Sequence, residues 1–92
     1  VDELGTVSII GQVRNPGRYA LKNDMTALEA IALAGGLTEL AAADGTKVIR
    51  VDKDGKRVTM RVPVGAILRS GDKRRDIKLL PDDTIVIPES FF

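Results

Sequence analysis

Histidine and cysteine are both absent from this 92-residue chain, and that bounds its chemistry before any element is placed. Without Cys there are no disulfides, iron–sulfur clusters, thiolate zinc sites or thiol nucleophiles. Without His, acid–base work at neutral pH falls to a shifted carboxylate or lysine, which a small water-exposed domain achieves less readily. Asp82 and Asp83 are neighbours in the chain, so their carboxyls need not converge, whereas paired-carboxylate hydrolysis needs two carboxyls flanking a substrate. Asp52, Asp54 and Gly55 resemble the start of a calcium loop, but its twelfth position, where a bidentate Glu belongs, is Pro63. A hairpin turn accounts for these residues instead. We expect no catalytic residue, no metal site and no cofactor.

Binding chemistry remains. Gly35 and Gly36 follow Ala34 and would let backbone groups approach a ligand closely, although a helix C-cap with a tight exit is the favoured reading. Arg14, Asn15 and Tyr19 surround the first turn, and Tyr19 could stack on a sugar ring or simply pack on the sheet edge. These five are the candidate ligand-binding residues. Lys73, Arg74 and Arg75, with Arg69 and Lys78 nearby, could meet an acidic polysaccharide, lipid headgroups or nucleic acid. Asp72 and Asp76 flank them and no aromatic interleaves to stack bases, which favours an exposed charged loop. The 14 basic and 13 acidic residues leave a formal net charge of +1, so no specific nucleic-acid partner is implied.

These residues need elements to hold them. Aromatics are only 3% of the chain, so the core must rest on Val, Ile, Leu and Ala. A strand is expected over 6–13, where Val7, Ile9 and Val13 share a face. Asn15, Pro16 and Gly17 have type II turn chemistry, and a second strand returns over 18–21. Thr26 and Glu29 have capping-box spacing and open the main helix, 26–34, which Gly35 closes. Strands over 47–52 and 57–62 flank a hairpin loop with Gly55 at its positive-φ position. A helical turn at 64–69 stops at Gly71, and a fifth strand runs over 84–87. The order is that of an α+β β-grasp: a mixed sheet of about five strands on one main helix.

Glu29 is the only charged residue of that helix. Leu28, Ile31 and Ala32 are expected to face the sheet, leaving Ala27, Ala30 and Ala34 as a second, small-residue stripe, with Leu33 pointing away. A helix apolar nearly all round is covered on more than one side. Ala27, Ala30, Leu33 and Ala34 are therefore interface candidates, together with Phe91 and Phe92 at the chain end. No apolar run approaches the roughly 20 residues of a membrane span. The chain starts without an initiator Met or signal sequence and reads as one domain, 1–92, of a longer protein.

Three motifs stand in order: Gly11-x-Val13-x-x-Pro16-Gly17-x-Tyr19; then Thr26-x-x-Glu29-Ala30-Ile31-x-x-Ala34-Gly35-Gly36-Leu37-Thr38; then Leu80-Pro81-Asp82-Asp83-x-Ile85-x-Ile87-Pro88-Glu89. Together they resemble the soluble-ligand-binding β-grasp (SLBB) domain, in the version found in bacterial polysaccharide export proteins. One departure is Pro81-Asp82-Asp83, where the family reads Pro-Gly-Asp; Asp tolerates left-handed φ well enough for the turn to survive. The resemblance implies a non-catalytic domain in the periplasm, its parent associated with the outer membrane. Its implied partners are polysaccharide and other domains or subunits of a homo-oligomeric export complex. A stand-alone module for a saccharide or cobalamin-like ligand is the alternative.

Overall fold

A computed structural model describes residues 5–71 and 76–90. Its strands are β1 (Thr6–Gly11), β2 (Gly17–Ala20), β3 (Lys47–Val51), β4 (Arg57–Arg61) and β5 (Thr84–Ile87). The helices are α1 (Ala27–Leu33) and α2 (Val64–Ser70), with a 3-10 turn at Ala43–Gly45. The sheet order is β2-β1-β5-β3-β4. The β1–β5 pair is parallel and the others antiparallel, which gives the mixed sheet of an α+β, β-grasp-like fold. β5 lies at the centre, so the last strand in sequence closes the sheet.

Alternation decides which side is dry. Val7, Ile9, Val48, Ile85 and Ile87 point to the helices and are at most 1% exposed. Each such side chain contributes about 1.5–3 kcal/mol by leaving water. Val62, Val64 and Ile67 join the same core from α2 and the residues before it, and Leu79 joins from the segment that leads to β5.

β1 ends at Gly11, two residues before the expected limit. Gly11 has φ 99° and turns the chain out of the ladder, so Val13 bridges Leu37 instead. No type II turn forms at 15–17, because residues 12–15 bond to the exit of α1 and Gly17 pairs with Ile9 in the ladder. The 52–56 hairpin is as expected: Gly55 has φ 80°, and the Asp52 carboxylate accepts from the Asp54 and Lys56 amides at 2.9 Å each. Asp82 adopts φ 68°, so Asp does stand in for the usual turn glycine.

The two faces of α1 need correction. Ala27, Ala30 and Ala34 are 0% exposed and line the sheet with Ile31, while Ala32 and Leu33 face outward. Leu28, expected on the inner face, is half-buried. Small side chains let the helix axis settle close to the sheet, and the Asn15 amide draws the helix end in by bonding the Ala34 carbonyl at 2.8 Å. The three alanines are thus core residues and not interface candidates. Leu33 is 49% exposed and keeps that role; Phe91, Phe92, Lys73, Arg74 and Arg75 lie outside the described residues.

The capping box is half-formed. Thr26 Oγ1 accepts from the Glu29 amide at 3.3 Å, and the Leu28 amide is taken by Asp76 Oδ1, also at 3.3 Å. Replacing Thr26 by Ala is expected to cost about 1 kcal/mol, read as a lower urea midpoint with an unchanged m-value.

Candidate functional site

The five candidate ligand residues come together at one corner. Their frame is a short run of cross-chain bonds: Thr38 N–H to Gln12 O at 3.1 Å, Arg14 N–H to Gly36 O at 3.1 Å, and Asn15 N–H to Ala34 O at 2.8 Å. Thr38 Oγ1 also donates to Gln12 Oε1 at 2.9 Å. Residues 12–15 therefore lie along residues 34–38 almost as an added strand. Arg14 and Asn15 present exposed side chains from this fixed backbone.

Gly35 and Gly36 serve the helix first. Gly35 N–H bonds Ala32 O at 3.1 Å and Gly36 N–H bonds Ile31 O at 3.0 Å, which is a Schellman closure. Gly35 has a second constraint. A Cβ there would lie 2.9 Å from Asn15 Nδ2 and 3.0 Å from Arg14 Cβ. The helix stop is thus also the seat on which Arg14 and Asn15 rest. Tyr19 is half-buried against the core, and its hydroxyl donates to the Asn15 carbonyl. Tyr19 braces the corner, while Arg14 and Asn15 are the groups that can meet a ligand. A guanidinium and an amide can bind hydroxyl or carboxylate oxygens.

Other surfaces differ in character. A shallow apolar groove of about 250 Å³ runs between α1 and α2, with Leu28, Leu37, Val64 and Leu68 among its walls. A larger, more polar recess of about 580 Å³ is lined by Asp44, Arg61, Pro63 and Ala66. In it Asp44 Oδ1 accepts from the Ala66 amide at 2.9 Å and so caps α2 from a distance in sequence. That bond, aided by Arg69 and opposed by burial, holds the Asp44 carboxyl below its ordinary range. A carboxylate lowered in the fold contributes stability above its unfolded pKa, about 3.9, and loses it as pH falls through the folded value. Asp44→Asn should therefore flatten the acid limb of a urea-midpoint-versus-pH profile below about pH 4 and leave its neutral region nearly parallel to wild type.

The sequence reading missed one pair. Arg50 meets Asp83 in two bonds, Nε to Oδ1 at 3.0 Å and Nη2 to Oδ2 at 2.7 Å. Asp83 is 1% exposed and also accepts from the Leu80 amide at 2.8 Å, and Arg50 donates further to the Lys78 carbonyl at 3.1 Å. Arg50 is held charged above its ordinary value, chiefly by the hydrogen bond to Asp83 and against the effect of burial. This pair ties β3 to the turn before β5. Among the described residues, no three His, Cys, Asp or Glu side chains converge as metal ligands. No helix among them is long and apolar enough to cross a membrane.

Comparison with known families agrees with the architecture. The family model of the SLBB domain matches residues 6–63, more than half of the chain, from the start of β1 to just past β4.

Proposed function

This chain belongs to the SLBB domain family, and from that premise we propose that it is a non-catalytic, periplasmic module of a polysaccharide export protein associated with the outer membrane. In this reading it contributes to assembly of a homo-oligomeric export complex and touches the saccharide at the Arg14–Asn15 corner. The family is a ligand-binding one, which supports the coarser half of the reading. The observation that carries the finer half is the corner itself: two exposed polar side chains on a backbone fixed by three inter-segment bonds and seated on Gly35. Such a frame lowers the ordering cost of binding. The half-exposed Leu33 and, separately, the groove between α1 and α2 are apolar surfaces open to neighbouring domains.

Titration with neutral and acidic oligosaccharides and with cobalamin, followed by backbone amide shifts, tests the contact. Saccharide-dependent shifts clustered at Arg14, Asn15, Gly35 and Gly36, reduced by Arg14→Ala, are the expected result. Shifts with cobalamin alone would favour the stand-alone module. For assembly, sedimentation of the parent protein over a concentration series is expected to show self-association, and a strict monomer throughout would refute that part.

A further inference from the structure

The sheet has a second face, opposite the helices, which mixes Ile10, Ile49, Val51 and Val86 with polar groups and whose charge is one-sided. No strand carries an acidic residue, yet the strands carry five basic ones. Arg50 points inward to Asp83, whereas strand alternation puts Arg18, Lys47, Arg57 and Arg61 on the outer face. All four are exposed. Arg18, Lys47 and Arg57 have no ion-pair partner among the described residues, and Arg61 donates only to the Asp44 carbonyl, at 2.8 Å. The nearest acid in sequence to Arg57 is Asp54, in the hairpin tip, and the Asp52 carboxylate is occupied by amides of that same turn. A chain with a net charge of only +1 has therefore gathered on one side four cations without an ion-pair partner among the described residues.

The register adds a pattern that neither sequence nor charge reveals. Arg18 is opposite Ser8, Ser8 opposite Thr84, Thr84 opposite Ile49, and Ile49 opposite Thr59. One row thus crosses all five strands with a guanidinium at one edge and three hydroxyls along it. The next row ends in the directly paired Lys47 and Arg61. Four strand spacings separate β2 from β4, a span of roughly 19 Å. A small anion cannot reach both edges, but an extended polymer can.

We propose that this open sheet face binds an extended, carboxylate-bearing polysaccharide, its carboxylates paired with the edge cations and its hydroxyls bonded along the Ser8–Thr84–Thr59 row. Hydroxyl rows suit sugar rings. Among the described residues the face has no aromatic side chain on which nucleic-acid bases could stack, since Tyr19, paired with Val7, lies on the helix side. The inference rests on the saccharide reading above in narrowing the sugar to an anionic one, but it uses a different surface.

The test is titration of the chain with a polygalacturonate oligomer and, at equal length, a neutral dextran oligomer, read by amide shifts at low and high salt. Expected are shifts at Ser8, Arg18, Thr59 and Thr84 with polygalacturonate alone. Binding should weaken about tenfold in the variant R18Q/K47Q/R57Q, whose exposed positions leave the core untouched, and should also weaken with salt. Shifts confined to the Arg14–Gly36 corner would overturn this proposal and leave the proposed function standing; silence toward every saccharide would overturn both contacts. Equal binding of dextran on the sheet face would overturn the role of charge. Tighter binding of oligodeoxythymidylate or of phosphatidylserine vesicles than of polygalacturonate would overturn the choice of partner.

Discussion

Replacing Arg50 by Met is expected to lower the unfolding free energy by about 3 kcal/mol or more, read from urea denaturation. The substitution keeps length and apolar bulk but leaves the Asp83 carboxylate buried, with the Leu80 amide as its one remaining partner. An uncompensated buried charge is the costly case; the pair itself contributes far less, because both groups lose hydration on folding. The low end of the usual range is expected, since the Arg50 side chain is 25% exposed and water can reach part of the site. Removing both charges, as in Arg50→Met with Asp83→Leu, should recover much of the loss and give a large coupling energy in a double-mutant cycle. The single-mutant cost should also change little between low and high salt, because a buried pair is poorly screened. A cost below about 1 kcal/mol, or strong salt dependence, would show that the pair behaves as a surface bridge. For a domain whose total stability is of order 5–15 kcal/mol, a 3 kcal/mol loss is a large share.

A charge at this position was visible in principle. Val48 and Arg50 share the inward parity of β3, so an arginine stands on the buried face and demands a counter-ion. Its partner lies 33 residues away in a turn whose carboxylates look like solvent-exposed turn formers. Only the antiparallel β3–β5 pairing brings them together, and pairing register is a property of the sheet. The local signals fared differently. The Thr26 cap, Gly35 and Gly71 as helix stops, the Gly55 hairpin and the left-handed Asp82 each depend on neighbours in sequence, and each is found. The α1 faces were misassigned for a physical reason. Helical spacing groups Leu28 with Ile31 and Ala32 as the face toward the sheet, but the depth of contact is decided by how closely the backbones approach, and alanine permits the closest approach. The Arg14–Asn15 corner falls between these cases. Its residues were nameable from types alone, but the bonds joining residues 12–15 to residues 34–38 replace a turn that the Pro16-Gly17 pair suggested. The row of outward hydroxyls and cations could not be read at all without the register of five strands.

Gly11→Ala is expected to be the more damaging of the two largest changes, leaving the chain largely unfolded at 37 °C. Gly11 has φ 99°, a conformation that L side chains resist at a cost of about 1–2 kcal/mol. The steric term is larger. An added Cβ would stand 2.1 Å from the Ile87 carbonyl oxygen, 2.9 Å from its carbonyl carbon and 3.0 Å from its nitrogen. All three atoms belong to the backbone of β5, the central strand, so no rotamer change relieves the contact. Gly11 is paired with Ile87, and the Gln12 amide bonds the same carbonyl at 2.9 Å. Separating the two strands would therefore break the ladder where β1 hands the chain to the Arg14–Asn15 corner. Ordinary overpacking costs about 1–3 kcal/mol because side chains yield; here only the sheet can yield. Gly36→Ala is the control. Its φ is 88°, close to that of Gly11, but an added Cβ would meet nothing within 4 Å. Only the backbone cost of about 1 kcal/mol should then appear. Circular dichroism and urea midpoints compare the two directly. Equal destabilisation would mean that φ alone matters and would contradict the close approach of β1 to β5. A much larger loss at Gly11, with collapse of the Arg14 and Asn15 amide shifts in whatever folded fraction survives, would show that the strand contact sets both the fold and the frame of the corner.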